Sequence, residues 1–168
     1  IKKSIANSYH NIGSVHFEMG DLSQAELYWN KNLNLQREIG SKKELAGALR
    51  SIGQIEKKKG NLETAKEYYE EGLKLFEELG EKIGTASISM KIGYLEFEQN
   101  NLSTAEKYGN NSLGLSKELG YPESIRDASL LLFNVYEKQN KYKQSLSMYK
   151  IYIQMRDSIV NESTQKTA

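Results

Sequence analysis

Identical residues return along this chain at a fixed step of 40 positions. Gly13, Gly53 and Gly93 are in register, as are Gly40, Gly80 and Gly120, and Gly20 and Gly60. The same step carries Leu22 to Leu62 and Leu102, Ala25 to Ala65 and Ala105, and Leu33 to Leu73 and Leu113. Ile12, Ile52 and Ile92 continue to Leu132, and Tyr28, Tyr68 and Tyr108 to Met148. A period between about 20 and 50 residues marks a stacked array, in which each unit buries its apolar face only against its neighbours.

Within a unit the apolar residues recur at helical steps. Leu45, Leu49, Ile52 and Ile55 form one stripe and Leu62, Ala65, Tyr69 and Leu73 a second, with the polar break Lys57-Lys58-Lys59-Gly60-Asn61 between them. Each unit is thus expected to be helix, tight turn, helix. Asp21 with Gln24, and Ser41 with Glu44, have capping-box spacing. Gly40, Gly80 and Gly120 stand where helices should end in a left-handed residue, and Pro122 suits a first helical turn. Gly13, Gly53 and Gly93 lie inside helices, where Gly costs roughly 1 kcal/mol against Ala. The expected compensation is close approach of the paired helix at Ala25, Ala65 or Ala105.

Composition narrows the chemistry. The 168 residues include no Cys, which removes disulfides, thiol catalysis and Cys-ligated zinc. Lys+Arg number 23 against Asp+Glu 22, so a dedicated polyanion-binding surface is disfavoured and no nucleic-acid partner is expected. No run approaches the roughly 20 apolar residues of a membrane span. The chain starts at Ile1 without Met or a signal peptide, as a segment of something longer would. His10 and His16 are six residues apart and face different directions on a helix, so they do not chelate one metal. His16 is expected to pack, and His10 to face solvent or a ligand. The acids of the second unit, Glu56, Glu63, Glu67, Glu70, Glu71, Glu77 and Glu78, lie among Lys57, Lys58, Lys59, Lys66 and Lys74. That pattern reads as solvated faces laced with ion pairs. Neither a Gly-x-Ser-x-Gly elbow nor a phosphate loop is present. No catalytic residue, cofactor or metal is expected.

Tyr9-x2-Ile12-Gly13-x2-His16 followed by Ala25-x3-Trp29 resembles the tetratricopeptide repeat (TPR) signature of aromatic, Leu-Gly, Tyr, then Ala and aromatic. The second unit matches with Leu49, Ile52-Gly53, Glu56, Ala65 and Tyr69. The third keeps Ile92-Gly93 and Ala105 but has Gly109 for the aromatic, and the fourth has Leu132-Phe133 and Ser145 with Tyr136 and Tyr149. The resemblance implies an all-α, right-handed α-solenoid of about four TPR-like helix-turn-helix repeats, 1–40, 41–80, 81–120 and 121–160. It makes 1–162 a single array, with a frayed tail at 163–168. Units of 40 residues resemble the long-repeat subclass found in peptide-sensing bacterial regulators, kinesin light chains and spindle adaptors.

In such arrays the first helices line a concave side. The non-core positions of those helices are Asn7, His10, Ser14 and Phe17; Arg50, Gln54 and Lys57; Met90, Tyr94 and Phe97; and Leu130, Asn134 and Glu137. They vary while the core repeats, as a specificity surface would. Amides suit an extended backbone, aromatics supply pockets, and Arg50 suits a carboxylate. The segment from Tyr149 through Tyr152, Ile153, Met155, Arg156 and Asp157 to Glu162 resembles the last repeat of TPR sensors from Bacteroidetes-type bacteria, which precede histidine-kinase or DNA-binding output domains. The resemblance implies a protein- or peptide-binding sensor module of a bacterial signal-transduction protein, extracytoplasmic if it is a sensor. A non-sensing adaptor, cytoplasmic, is the alternative. Self-association through the array ends stays open.

Overall fold

Every twentieth residue from Gly20 to Asn140 has a positive φ. Gly20, Gly40, Gly60, Gly80 and Gly120 occupy five of these positions; Asn100 (φ 63°) and Asn140 (φ 59°) take the others, Asn being the side chain that best tolerates this region. These stops divide the chain into eight helices among the described residues: α1 (Lys2–Glu18), α2 (Leu22–Ile39), α3 (Lys42–Lys59), α4 (Leu62–Glu78), α5 (Lys82–Glu98), α6 (Leu102–Leu119), α7 (Pro122–Lys138) and α8 (Tyr142–Thr167). The structure is a computed structural model that describes the backbone of residues 1–167 and the side chains of residues 1–161. The tail expected to fray at 163–168 lies outside the described side chains. The fold is all-α, built of helix-turn-helix pairs.

The chain forms two compact units, Ile1–Gly84 and Thr85–Ala168. In the first, α1 packs on α2, α2 on α3 and α3 on α4; in the second, α6 packs on α7 and α7 on α8. The core of the first unit joins Ala25, Trp29 and Leu33 of α2 to Ala48, Leu49, Ile52 and Ile55 of α3. The second unit buries Leu113, Ala128, Leu132 and Tyr136 in one cluster and Ala105, Leu131 and Val135 in another. Ile12 and Val15 of α1 are 39% and 55% exposed, whereas Ile52 and Ile55, in register on α3, are covered by α2.

The interior glycines do mark close approach, but the nearest partner is a ring. A Cβ on Gly13 would lie 2.3 Å from the Trp29 indole, and one on Gly53 would lie 2.6 Å from the Tyr69 ring. The small residue expected opposite contributes only at second rank, the Ala65 carbonyl lying 3.2 Å from the same point. Bare backbone at Gly13 also lets Trp29 Nε1–H donate to the His10 carbonyl at 3.0 Å, giving the buried indole its partner. The third pair has Gly109 instead of an aromatic. There the Leu131 side chain lies against Gly93 and Leu132 against Gly109, so two leucines of the following helix occupy the ring's space.

Each tight turn is closed by the same backbone bond: the amides of Asp21, Asn61, Asn101 and Lys141 donate to the carbonyls of His16, Glu56, Glu96 and Tyr136. The side chains of these residues pair as well. Asn61 Nδ2 donates to Glu56 and Asn101 Nδ2 to Glu96, both at 2.8 Å. His16 Nδ1 lies 3.5 Å from the Asp21 carboxylate, and Lys141 sits over the Tyr136 ring. Glu56 therefore departs from the expected solvated face. It is 9% exposed, because five residues of turn bring an amide donor over it. His16 packs as expected, stacked on Tyr28 at 5.7 Å. Of the two capping boxes, Asp21 accepts from the Gln24 amide, whereas Ser41 turns its hydroxyl to the Glu44 carboxylate and leaves the backbone uncapped.

Two sets of melts check these contacts. Gly53→Ala should destabilise by about 1–3 kcal/mol, because a buried ring and a backbone carbonyl must both give way. Gly93→Ala should cost less, since the atom it meets is the end of a leucine side chain. Gly114→Ala, with nothing within 4 Å, should stabilise by up to about 1 kcal/mol. Asn101→Ala strips a donor from a carboxylate 1% exposed and should cost about 1–3 kcal/mol. Asn61→Ala should cost less, because Lys59 also reaches Glu56.

Candidate functional site

The apolar stripe of α2 contains two amides. Ala25, Trp29 and Leu33 face the core, and Asn32 and Gln36 share that face at 2% and 3% exposure. A helix that buries amides in its core face opens a polar space where it meets its neighbours. Here that space is a cleft of about 170 Å³ among α1, α2 and α3, lined by Asn7, His10, Asn32, Gln36, Glu44, Gly47, Ala48 and Arg50.

Three of the expected site residues, Asn7, His10 and Arg50, meet in this cleft. His10 is held by its own helix and by α2: its carbonyl takes the Trp29 N–H, and its ring stacks on the indole with centroids 6.3 Å apart. Burial pushes the imidazole below the usual histidine range, and the Arg50 cation adds to the effect. Arg50 is half-buried, and its guanidinium is likewise lowered by burial, with Tyr69 opposing. Glu44 carries the opposite charge, but its carboxylate is held low by the Ser41 hydroxyl first, with Lys3 contributing from 3.5 Å. The cleft thus combines a cation, a neutral imidazole, three amides and a carboxylate already engaged at its rim.

The other expected residues are placed differently. Ser14 donates to the His10 carbonyl, and Phe17 packs on Trp29 at 5.1 Å. Gln54 and Lys57 are half-buried on α3 outside the cleft. In the second unit Met90 lines a separate cleft of about 210 Å³ with Ala86, Ser87, Lys91, Ser112, Ser124 and Asp127. Tyr94 is tied into packing: its hydroxyl donates to the Asp127 carbonyl at 3.3 Å, and burial, then Asp127, raise its pKa. Phe97 lies under the Lys138 ammonium at 4.2 Å. Leu130 and Asn134 are half-buried outside that cleft, and Glu137 accepts from Ser145 of α8.

Asn32 and Gln36, on the second helix of their pair, and Glu44, Gly47 and Ala48, on the first turns of α3, line the cleft without having been expected there. A signal was there: Asn32 and Gln36 fall at the step of three and four residues that links Ala25, Trp29 and Leu33. Among the described residues no group of His, Asp or Glu is placed to hold a metal ion, and no helix is long and apolar enough to cross a membrane.

Comparison with known proteins fits this geometry. The family described as "MalT-like TPR region" matches residues 5–152. No curated protein matches the sequence. Many solved structures share the fold, and three of them illustrate it. BtubC (BKLC) from P. vanneervenii has a TM-score of 0.85 at 17% identity, over 95% of this chain and 66% of that one. The apo form of RapI has 0.84 at 17%, over 94% and 44%. A Rap protein complexed with competence and sporulation factor has 0.80 at 15%, over 89% and 42%. The chain therefore spans between about two-fifths and two-thirds of these proteins, and at such identities the likeness is one of fold.

The half-buried imidazole makes a checkable pH dependence. A histidine whose folded pKa lies below its unfolded value adds stability that is complete above about pH 6.5 and is lost as pH falls. Unfolding free energy should therefore drop on acidification below that pH, and drop less in His10→Gln. The His10 ring resonances should titrate with a midpoint below about 6.5. Equal losses in the two proteins would assign the acid sensitivity elsewhere.

Proposed function

The chain belongs to the MalT-like TPR region family, and on that premise we propose that it is a protein- or peptide-binding module of a bacterial signal-transduction protein, acting as its sensor rather than as a catalyst. The observation that carries this reading is the first unit's cleft. It places non-repeating polar side chains, Asn7, His10 and Arg50, on a scaffold whose core residues repeat. Such a site offers hydrogen bonds and one cation in a partly dry setting, which is what recognition of an extended chain requires. It lacks a nucleophile set against a base. A neighbour of the same fold was solved in complex with competence and sporulation factor, which lends support to binding as the role of the fold.

In this reading Arg50 anchors an acceptor of the ligand, and His10 and Asn7 supply further hydrogen bonds. Gln54, Lys57 and Ser14 add to this surface within the first unit; in the second unit Met90, Leu130, Asn134 and Glu137 form a surface of their own, with Tyr94 and Phe97 supporting them. Signal output would come from a domain elsewhere in the full-length protein, and a kinase or DNA-binding domain in the same gene would agree with the sensor role.

The test is a peptide array probed with the chain, followed by affinity measurement on the sequences captured. Arg50→Ala should weaken binding by about thirtyfold or more, the usual loss for an anchoring Arg. The control, Lys74→Ala on the exposed side of α4, should bind as the parent does. If the control loses as much as Arg50→Ala, or if folded Arg50→Ala binds normally, the cleft is not the site.

A further inference from the structure

The 40-residue register makes one slot comparable between repeats. Asn32 and Gln36 of α2 correspond to Gly72 and Phe76 of α4 and to Ser112 and Ser116 of α6. The second slot is filled by protein: Phe76 is 5% exposed, and it fits because Gly84 has no side chain, a Cβ there falling 2.6 Å from the ring. The residue in register with Gly84 in the first slot is Glu44. There the phenyl ring and bare backbone are replaced by two amides, a carboxylate and the cleft of about 170 Å³.

The amides are incompletely matched. Gln36 Nε2 donates to Asn32 Oδ1 at 3.3 Å, while Gln36 Oε1 is buried without a hydrogen-bond partner. Burying an acceptor unmatched is destabilising, and the array has an apolar solution for this slot that avoids it. The side chain is 3% exposed and lines the cleft, so the group that completes it must enter from there.

We propose that this cleft is a subsite for a primary carboxamide, the side chain of a glutamine or asparagine in a bound peptide, read by Gln36. The assignment rests on the binding role proposed above and names what that site selects. Gln36 Oε1 calls for an N–H donor, while Arg50 and Asn7 on the facing helices line the same cleft with donor groups, to which a carbonyl oxygen is complementary. A carboxamide carries both on one carbon. A carboxylate would set an oxygen against the Gln36 oxygen, and an ammonium would share the cleft with the Arg50 cation. The cleft, about 170 Å³, has room for one short polar side chain. A site built to bond a polar group discriminates strongly against an isostere that lacks it.

The experiment titrates the ¹⁵N-labelled chain with N-acetyl-glutamine N-methylamide and with its methionine and glutamate counterparts, following the side-chain amide signals of Gln36 and Asn32. The glutamine probe should shift both signals saturably and bind at least about tenfold more tightly than the other two. Gln36→Leu removes the unmatched oxygen at similar volume, though it also takes the Nε2 donor from the buried Asn32 Oδ1, and it should fold while losing the glutamine preference. Should that variant fail to fold, Gln36→Phe combined with Glu44→Gly, which copies the second slot into the first, makes the same test. Equal binding of the methionine probe, or a glutamine preference that survives either variant, overturns the proposal. A chain that captures array peptides yet shows no glutamine shift at Gln36 also overturns it, leaving the peptide-binding reading intact. Capture of the probe without any array peptide supports the subsite and removes that broader reading.

Discussion

Contact between a bare stretch of helix backbone and a buried ring sets the spacing within the first two helix pairs. Gly13 lies under Trp29 and Gly53 under Tyr69, each closer than any Cβ would allow. The approach gives the indole N–H its hydrogen bond to the His10 carbonyl, and so fixes the height of His10 on the wall of the cleft. It also aligns Leu33, Leu49 and Ile52 into one core, because a helix pair held at one distance presents the same stripe to the next pair. Where the ring is lost, at Gly109, the space is not left empty: Leu131 and Leu132 of α7 fill it. The constraint is one of volume, and it is met either by an aromatic from within the pair or by leucines from the helix that follows.

A scaffold specified this way frees other positions. The slot at Gln36, Phe76 and Ser116 is occupied by an amide, a ring and a hydroxyl without altering the helices around it. Turns behave similarly. One backbone bond closes all four, while the side chains above it are His–Asp, Glu–Asn, Glu–Asn and Tyr–Lys. The two buried glutamates are tolerated because each receives an asparagine amide from across the turn. The electrostatic character of the cleft follows from the same geometry. Burial disfavours the charged form of both His10 and Arg50, and the Arg50 cation adds to the cost of protonating the imidazole.

Much of this was legible in the residues themselves. The step of 40, the helix–turn–helix pattern and the stops at Gly40, Gly80 and Gly120 follow from local chemistry, because φ preference and apolar periodicity are properties of short segments. Family membership follows too, since Ile-Gly with Ala four residues before an aromatic is a pattern of sequence spacing. The candidate site was only partly legible: Asn7, His10 and Arg50 were expected and do meet, whereas Phe17, Tyr94 and Phe97, expected at the same surface, are held by Trp29, Asp127 and Lys138.

Sequence alone thus determined where helices begin and end and which residues repeat, because those depend on neighbours within one or two turns. Only the tertiary structure decided that Gly53 meets the Tyr69 ring as well as Ala65, that Glu56 and Glu96 are buried, and that Gln36 has an oxygen without a donor. Each of these depends on atoms brought together from separate helices or across a turn. A polar residue on a core stripe reads the same in sequence whether a partner completes it or a cavity does; the difference lies in how far apart three helices stand, and that distance is set by the glycines beneath the rings.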